Sequence, residues 1–378
     1  MAAHTESAQL ASRLDGLVMV IPDLRRMVSH WPSGKNTHAS EVEGLICKLL
    51  EQSDASPKDK ANVLEANPAL LASCLWPNAT RERLGTLTLM VLWQGRLDDH
   101  IESLEYKSAE KAKDFRNKAK DYIAQYLQLS EGPKEASTNP VIAGFQPVAK
   151  VICQQYDRDQ RRRLRVSLFE YIDSTVQEMR YIQSGHAPTT LSYEKLRKKT
   201  GGAGPLCALV EFASGSEWPA HVVNSQPYKM ILESVSIIIG LSVSPSNIPR
   251  NGDVQKLTGC FSGNRTNDLL SLNKELRKGR TLNAVPVRYW NGKDGSDLES
   301  AVGEVVEEID KAVKQLDVCE RRLINQNLAD ADAIQEVTAT LKTICTGNLT
   351  WSLESKRYNV GPPDADGSLR QELRAPDA

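Results

Sequence analysis

Apolar residues recur three or four positions apart along most of this chain, the spacing that lines one face of an α-helix. The pattern predicts helices over Glu41–Gln52, Arg81–Tyr106, Ala109–Gln128, Asp159–Gln183, Asp297–Asn325 and Asp330–Arg357. Strict alternation of apolar and polar residues is short and rare, so no sheet is expected. Breaks are expected at 130–133, 184–188, 218–219, 247–252 and 291–295, where Gly, Pro, Asn and Ser collect. No internal repeat and no convincing linker divides the chain. About ten or more helices without a sheet predict an all-α fold in a single domain over residues 1–360. The stretch 361–378, GPPDADGSLRQELRAPDA, is polar and rich in Gly, Pro and Asp, and is expected to be disordered.

Composition narrows the function. The 378 residues are 40% hydrophobic and 25% charged, an ordinary globular balance. Lys and Arg total 47 against 48 Asp and Glu, so no overall field draws nucleic acid or a membrane surface, and any polyanion site must be local. The run DRDQRRRLR from Asp157 to Arg165 is mixed in sign and interrupted by Leu164, and reads as a solvated helix face. Gly201-Gly-Ala-Gly204 has no strand before it and makes a poor phosphate loop. His186 and His221 lack partners at ligand spacing. The opening segment MAAHTESAQLASRLDG carries no secretory pattern, and the longest apolar stretch, Val235–Val243, is too short to cross a bilayer. The 7 cysteines are scattered singly and read as reduced thiols. A cytoplasmic protein with no stable membrane insertion is expected.

Two clusters carry candidate chemistry. Residues 97–102 read LDDHIE, at the end of an apolar run. On a helix Asp98 and Glu102 stack one turn apart, with Asp99 turned about 100° away. Like charges so placed cost roughly 0.2–0.5 kcal/mol unless a cation lies beside them. Such hard oxygens suit Mg2+, which takes one or two carboxylates and completes its shell with phosphate oxygens. By itself DDxxE fits a solvated helix end equally well, and His100 reads as a neighbour. The second cluster is NDLLSLNKE at 267–275. Asn267, Ser271 and Glu275 fall at i, i+4 and i+8, a single stripe of oxygen donors with little net charge. Lys274 sits beside the stripe, in place to meet a phosphate oxygen.

The pattern NDxxSxxKE resembles the second metal motif of class I terpene cyclases, and DDHIE is similar to the aspartate-rich motif that faces it in that family. Two further stretches match in order: Tyr193-Glu-Lys-Leu-Arg197-Lys-Lys-Thr200-Gly201, and Trp351-Ser-Leu-Glu-Ser-Lys-Arg357-Tyr358. HWPSG and LWPNATRERLGTLTLMVLWQGRLDDH resemble fungal members of the sesquiterpene synthase type. The resemblance spans all but the tail and one insertion. It implies a helical barrel with a central active-site cavity and three Mg2+ ions. Asp98 would be the main ligand of two ions, supported by Asp99 or Glu102, since the departure from the commoner DDxxD leaves that support open. Asn267, Ser271 and Glu275 would hold the third. Arg197, Lys274, Arg357 and Tyr358 would grip diphosphate. Thr200 would be the linker to Gly201, whose carbonyl would turn toward the cation.

The implied substrate is a prenyl diphosphate, farnesyl diphosphate for a chain of this length, with C20 or C10 substrates or a catalytically impaired helical terpene-binding protein as alternatives. Prenyl-chain elongases share the barrel but usually carry a second aspartate-rich motif in place of NDxxSxxKE. No nucleic-acid partner is implied, and a monomer or homodimer is expected. Trp93, Trp351 and Phe212 stand between two readings, cavity wall or plain core. A cavity wall of aromatic faces would attract a carbocation by roughly 0.5–2 kcal/mol each. No conventional general base is evident, so the departing diphosphate is the expected proton acceptor. In the family the metal helix follows the preceding helix almost directly, whereas here a polar stretch from Leu241 to Thr266 intervenes. It reads either as a lid loop or as translated intron, with Val243-Ser244, Leu257-Thr258 and Phe261-Ser262 compatible with donor, branch-point and acceptor codons. The gene sequence decides between them.

Overall fold

The computed structural model describes residues 5–53, 57–200, 202–239, 266–292, 297–356, 358 and 360–376, with the side chains of 58, 59, 62, 198–200 and 266 left aside. The chain enters through α1 (Glu6–Leu14) and a short strand, β1 (Val18–Ile21), then forms α2 (Ala39–Glu51), α3 (Pro57–Ala66) and α4 (Pro68–Leu75). Next come α5 (Arg81–Lys107), α6 (Ala109–Tyr126), α7 (Pro140–Ala143), α8 (Gln146–Gln155) and α9 (Arg158–Ser184). The sequence continues through α10 (Thr190–Thr200), α11 (Ala203–Cys207), α12 (Val210–Ser214) and α13 (Gln226–Ile239). Finally come α14 (Thr266–Leu276), α15 (Ala284–Asn291), α16 (Leu298–Gln326), α17 (Ala331–Glu354) and β2 (Leu369–Glu372).

Local chemistry places the long helices. Thr80 caps α5 by accepting the Arg83 N–H. Ser108, in extended backbone with φ −168°, ends α5, and its hydroxyl accepts the Lys111 N–H to start α6. Asp157 and Gln160 form a capping box at the start of α9. Arg162 pairs with Asp159 at 2.9 Å and Arg163 with Glu211 at 2.5 Å, so the basic run is spent on the helix and its neighbour α12. The interior is one continuous apolar cluster, to which α13, α16 and α17 contribute long buried faces. At Gly347 of α17 any Cβ would run into the Cys74 carbonyl, so glycine lets α17 and α4 touch backbone to backbone. Among the described residues no helix is long and apolar enough to cross a membrane.

Two expectations are corrected. The helix expected to reach Arg357 stops at Glu354, because Ser355 adopts extended backbone (φ −71°, ψ 145°). The tail expected to be disordered is ordered through residue 376. Its β2 pairs antiparallel with β1, Val18 opposite Glu372 and Ile21 opposite Leu369. Leu369 and Gln371 point inward while Arg370 and Glu372 face solvent. Leu373 N–H donates to the Leu17 carbonyl and Gly16 N–H to the Leu373 carbonyl, both at 2.9 Å. Arg374 N–H then reaches Asn273 Oδ1 of α14 at 3.2 Å. A polar composition concealed a period-two alternation whose partner lies at the other end of the chain.

Candidate active site

The first cluster lies two-thirds along α5, where Asp98 and Asp99 are exposed and Glu102 is half-buried. Facing it, α9 supplies Tyr171, Thr175 and Glu178. The Tyr171 hydroxyl donates to Asp98 Oδ1 at 2.8 Å, and burial beside Asp98 keeps that phenol protonated, its pKa well above the ordinary value. Asp98, Glu102, Thr175, Glu178 and Arg280 line a pocket of about 90 Å3. Arg280, from the turn after α14, is paired with the Glu102 carboxylate. His100 packs its ring on Phe115, centroids 4.5 Å apart, which fits a neighbour of the cluster, and burial lowers its pKa.

The second cluster comes from α14, tied to α10 through a buried acid. Asp268 is fully buried and accepts the Tyr193 hydroxyl at 2.6 Å and Arg197 Nη2 at 2.8 Å. Arg197 Nη1 reaches Glu178 Oε1 at 3.2 Å, so this guanidinium bridges α9 and α14. Burial opposes its charge, but Tyr193, Asp268, Glu178 and Glu275 hold its pKa well above the ordinary value. Its Nε is buried with no hydrogen-bond partner among the described residues. Burial pushes the Glu178 carboxyl up to about 7; Arg197 pulls it down, and Asp98, Glu275 and Glu102 push it further up. Arg197 thus links α9, which lies beside the first cluster, to α14, which carries the second.

Along the α14 stripe, Ser271 Oγ donates to Glu275 Oε1 at 2.6 Å, and Asn283 Nδ2 to Glu275 Oε2 at 3.0 Å. The Tyr358 hydroxyl donates to Asn267 Oδ1 at 2.7 Å, with Lys274 Nζ 5.7 Å from the Tyr358 ring centre. On this stripe Ser271 is therefore bonded to Glu275 and Asn267 to Tyr358, with Lys274 beside the tyrosine ring. Hard oxygen donors on two facing walls, beside an arginine with an unused N–H, fit a divalent cation carried in with a phosphate ligand. Among the described residues no three His, Cys, Asp or Glu groups are close enough to hold a metal by themselves. The cation would need the oxygens of its ligand.

The aromatic candidates divide. Trp93 donates its indole N–H to the Val141 carbonyl at 2.8 Å and packs on Phe145, so it belongs to the α5–α7–α8 core. Phe212 stands edge-on to Tyr156 within the core, centroids 6.1 Å apart. Trp351 donates to the Ala66 carbonyl at 3.0 Å and meets Tyr358 edge-on at 5.6 Å, supporting that tyrosine beside α14. Thr200 ends α10 with its side chain undescribed, and Gly201 and Arg357 lie outside the described residues, as does 241–265. Next to Gly201, Gly202 takes φ +74°, and Gln94 Nε2 donates to its carbonyl at 3.1 Å.

Sequence reasoning missed Tyr171, Glu178, Tyr193, Asp268 and Arg280. Two had a visible signal: Asp268 sits inside the NDxxS motif, and Tyr193 lies one helical turn before Arg197. The others carry none, since their roles come from what the fold sets beside them.

Comparison with known proteins places the chain beside terpene synthases. The family described as "Terpene synthase family 2, C-terminal metal binding" matches residues 90–242, a segment holding the first cluster and Arg197 and ending where the insertion begins. The chain is 25% identical over 367 residues to the sesquiterpene cyclase hepA of Aspergillus oryzae (strain ATCC 42149 / RIB 40), covering 92% of each. It is 23% identical to the (−)-delta-cadinene synthase of Streptomyces clavuligerus, over 87% of this chain and 93% of that one. Among solved structures, a-eudesmol synthase superposes with a TM-score of 0.69 at 14% identity, covering 86% of this chain and 97% of that one. The linalool/nerolidol synthase of Streptomyces clavuligerus, in complex with 2-fluorogeranyl diphosphate, gives 0.67 at 14%, covering 87% and 98%. The structural likenesses establish the fold: an all-α class I terpenoid synthase barrel.

Proposed function

We propose that this terpene synthase, a class I cyclase by its matches, converts farnesyl diphosphate to a cyclic sesquiterpene hydrocarbon or alcohol and releases diphosphate. Dependence on a divalent metal follows from the metal-binding family match, and Mg2+, as three ions, is our assignment. The observation that carries the reading is Arg197: a buried guanidinium held between Glu178 of α9 and Asp268 of α14, its Nε–H without a partner among the described residues. When bound, Mg2+ supplies Lewis acidity that stabilises the charge developing on the leaving diphosphate.

The chain's own residues do the rest. Asp98 with Asp99 on one wall, and Asn267, Ser271 and Glu275 on the other, orient the cations. Arg197 offers Nε to a diphosphate oxygen in a planar, charge-assisted contact. Lys274 and Tyr358 lie beside it, and the family resemblance adds Arg357. Tyr358 must leave Asn267, and Ser271 must leave Glu275, as the ligand arrives. The C–O bond breaks with its electron pair on diphosphate, and the allylic cation left behind is attacked by the substrate's own double bonds. Water must stay out until that closure is done. Gly201, at the end of Thr200, is assigned by resemblance to offer its carbonyl to the cation, and diphosphate accepts the final proton. The pocket of about 90 Å3 at the mouth suits the diphosphate head. The hydrocarbon tail needs further depth, since ligand pockets commonly span about 300–1,000 Å3.

The test is incubation with C10, C15 and C20 prenyl diphosphates and Mg2+, followed by gas chromatography–mass spectrometry. A cyclic C15 product from farnesyl diphosphate is expected. Asp98→Ala and Asn267→Ala should each lower turnover by about 100-fold or more, the scale of losing a charge-stabilising group. Unchanged rates in both would refute the metal assignment, and binding without product from any substrate would favour the terpene-binding alternative.

A further inference from the structure

One of the two acids expected to support Asp98, Glu102, is already committed. Glu102 lies one turn past Asp98 on α5, and its carboxylate meets the Arg280 guanidinium, both side chains about a third exposed or less (27% and 34%). Arg280 is delivered by the way α14 ends. Lys278 N–H and Arg280 N–H both donate to the Glu275 carbonyl, at 2.9 and 3.0 Å, and Gly279 N–H to the Leu276 carbonyl at 2.8 Å. Gly279 takes φ +70°, a left-handed turn that favours glycine and sends the chain back over the last helical turn. The following residues are fixed too: Asn283 Nδ2 bonds both the Asp268 carbonyl, at 2.8 Å, and Glu275 Oε2, at 3.0 Å. Arg280 is thus a rigid extension of the helix that carries the second oxygen stripe, and it ends on the helix that carries the first. Asp98 is held separately, by Tyr171.

We propose that Glu102 and Arg280 form a clasp across the mouth that sets the spacing of the two oxygen-bearing helices, so that Glu102 is a positioning residue and not a metal ligand. Drawing the Glu102 carboxylate onto a metal would weaken its pairing with a guanidinium that is only a third exposed. Kept together, the pair fixes α5 against the end of α14 before any ligand enters, and the cations then meet walls already at working distance. The proposal rests on the metal–diphosphate reading of the site for its functional meaning, but the clasp itself can be measured without metal.

Two measurements separate these. In EDTA, thermal unfolding of the wild type, Glu102→Gln, Arg280→Gln and the double variant should show coupling: the second substitution should lower Tm little once the first is made. Additive losses overturn the clasp, whatever the protein binds. Calorimetry with Mg2+ and inorganic diphosphate gives the second readout. Either single variant should weaken diphosphate binding by about tenfold, the usual scale for an outer partner of a metal site. The double variant should be no worse than the singles, and Arg280→Lys should stay near wild type. Glu102→Arg combined with Arg280→Glu should recover most of the affinity that Glu102→Arg loses. A raised Mg2+ half-saturation in Glu102→Gln alone, with Arg280→Gln normal and no recovery by exchange, would make Glu102 a ligand and overturn the proposal. A wild type that binds no Mg2+–diphosphate would end the proposed function, and the EDTA coupling would then decide the clasp alone.

Discussion

Burial holds the Glu178 carboxyl at about 7, against an ordinary value of 4.5, with Arg197 opposing the rise and Asp98, Glu275 and Glu102 adding to it. The folded value lies above the unfolded one, so the folded protein binds the extra proton between those two values. Its stability should fall as pH rises through that window. Glu178→Gln, which keeps the shape without the ionisation, should flatten this slope. Unfolding temperatures of the metal-free protein at about pH 5 and about pH 8 check it; equal slopes in wild type and variant would refute it. The residue scale also shows where a sequence is readable. Spacing grouped Asp98 with Glu102, and Asn267 with Ser271 and Glu275, because i and i+4 share a helix face in any helix, while their proposed roles came from the family resemblance. Glu178 and Tyr171 did not, because neither has a meaning until a neighbouring helix supplies a charge or removes water. Trp93 stayed open between wall and core for the same reason: a tryptophan five positions before Asp98 has no direction in a one-dimensional pattern.

Helices were legible as elements, and their caps explain why: Thr80, Ser108 and Asp157 are local signals, satisfied by N–H groups three residues on. The β1–β2 ribbon was not. Its strands have four residues each and find each other only across the whole chain. Removing residues 361–378 should cost several degrees in Tm, since fully burying one leucine is worth about 1.5–3 kcal/mol. Leu369 and Leu373 are both lost, and Met19 and Ile21 are uncovered. The truncated protein should also bind Mg2+–diphosphate more weakly, because Arg374 no longer bonds Asn273 on the metal helix. Calorimetric scans and diphosphate titration of the truncated chain check both, and an unchanged Tm would show the ribbon to be passive.

At the scale of the whole molecule, the two oxygen stripes lie nearly half the chain apart in sequence and are linked in space by Arg197, between Glu178 and Asp268, and by Arg280 on Glu102. Among the described residues neither stripe gathers three Asp, Glu, His or Cys groups, so cation and diphosphate should stabilise the fold together and little when apart. At about 100 times the dissociation constant, a ligand that binds only the folded state adds about 2.7 kcal/mol. A thermal-shift series with Mg2+ alone, inorganic diphosphate alone and both should show a clear rise in Tm only for the pair. An equal rise with diphosphate alone would argue for a purely cationic anion site.

The ribbon also sets an order of events during synthesis. Residues 18–21 leave the ribosome about 350 residues ahead of the strand they pair with. At about 5–20 residues per second, β1 waits on the order of half a minute with one backbone edge unpaired. Nascent chains stalled short of residue 373 should therefore resemble a door without its bolt, helices in place but the amino-terminal segment still open to proteases.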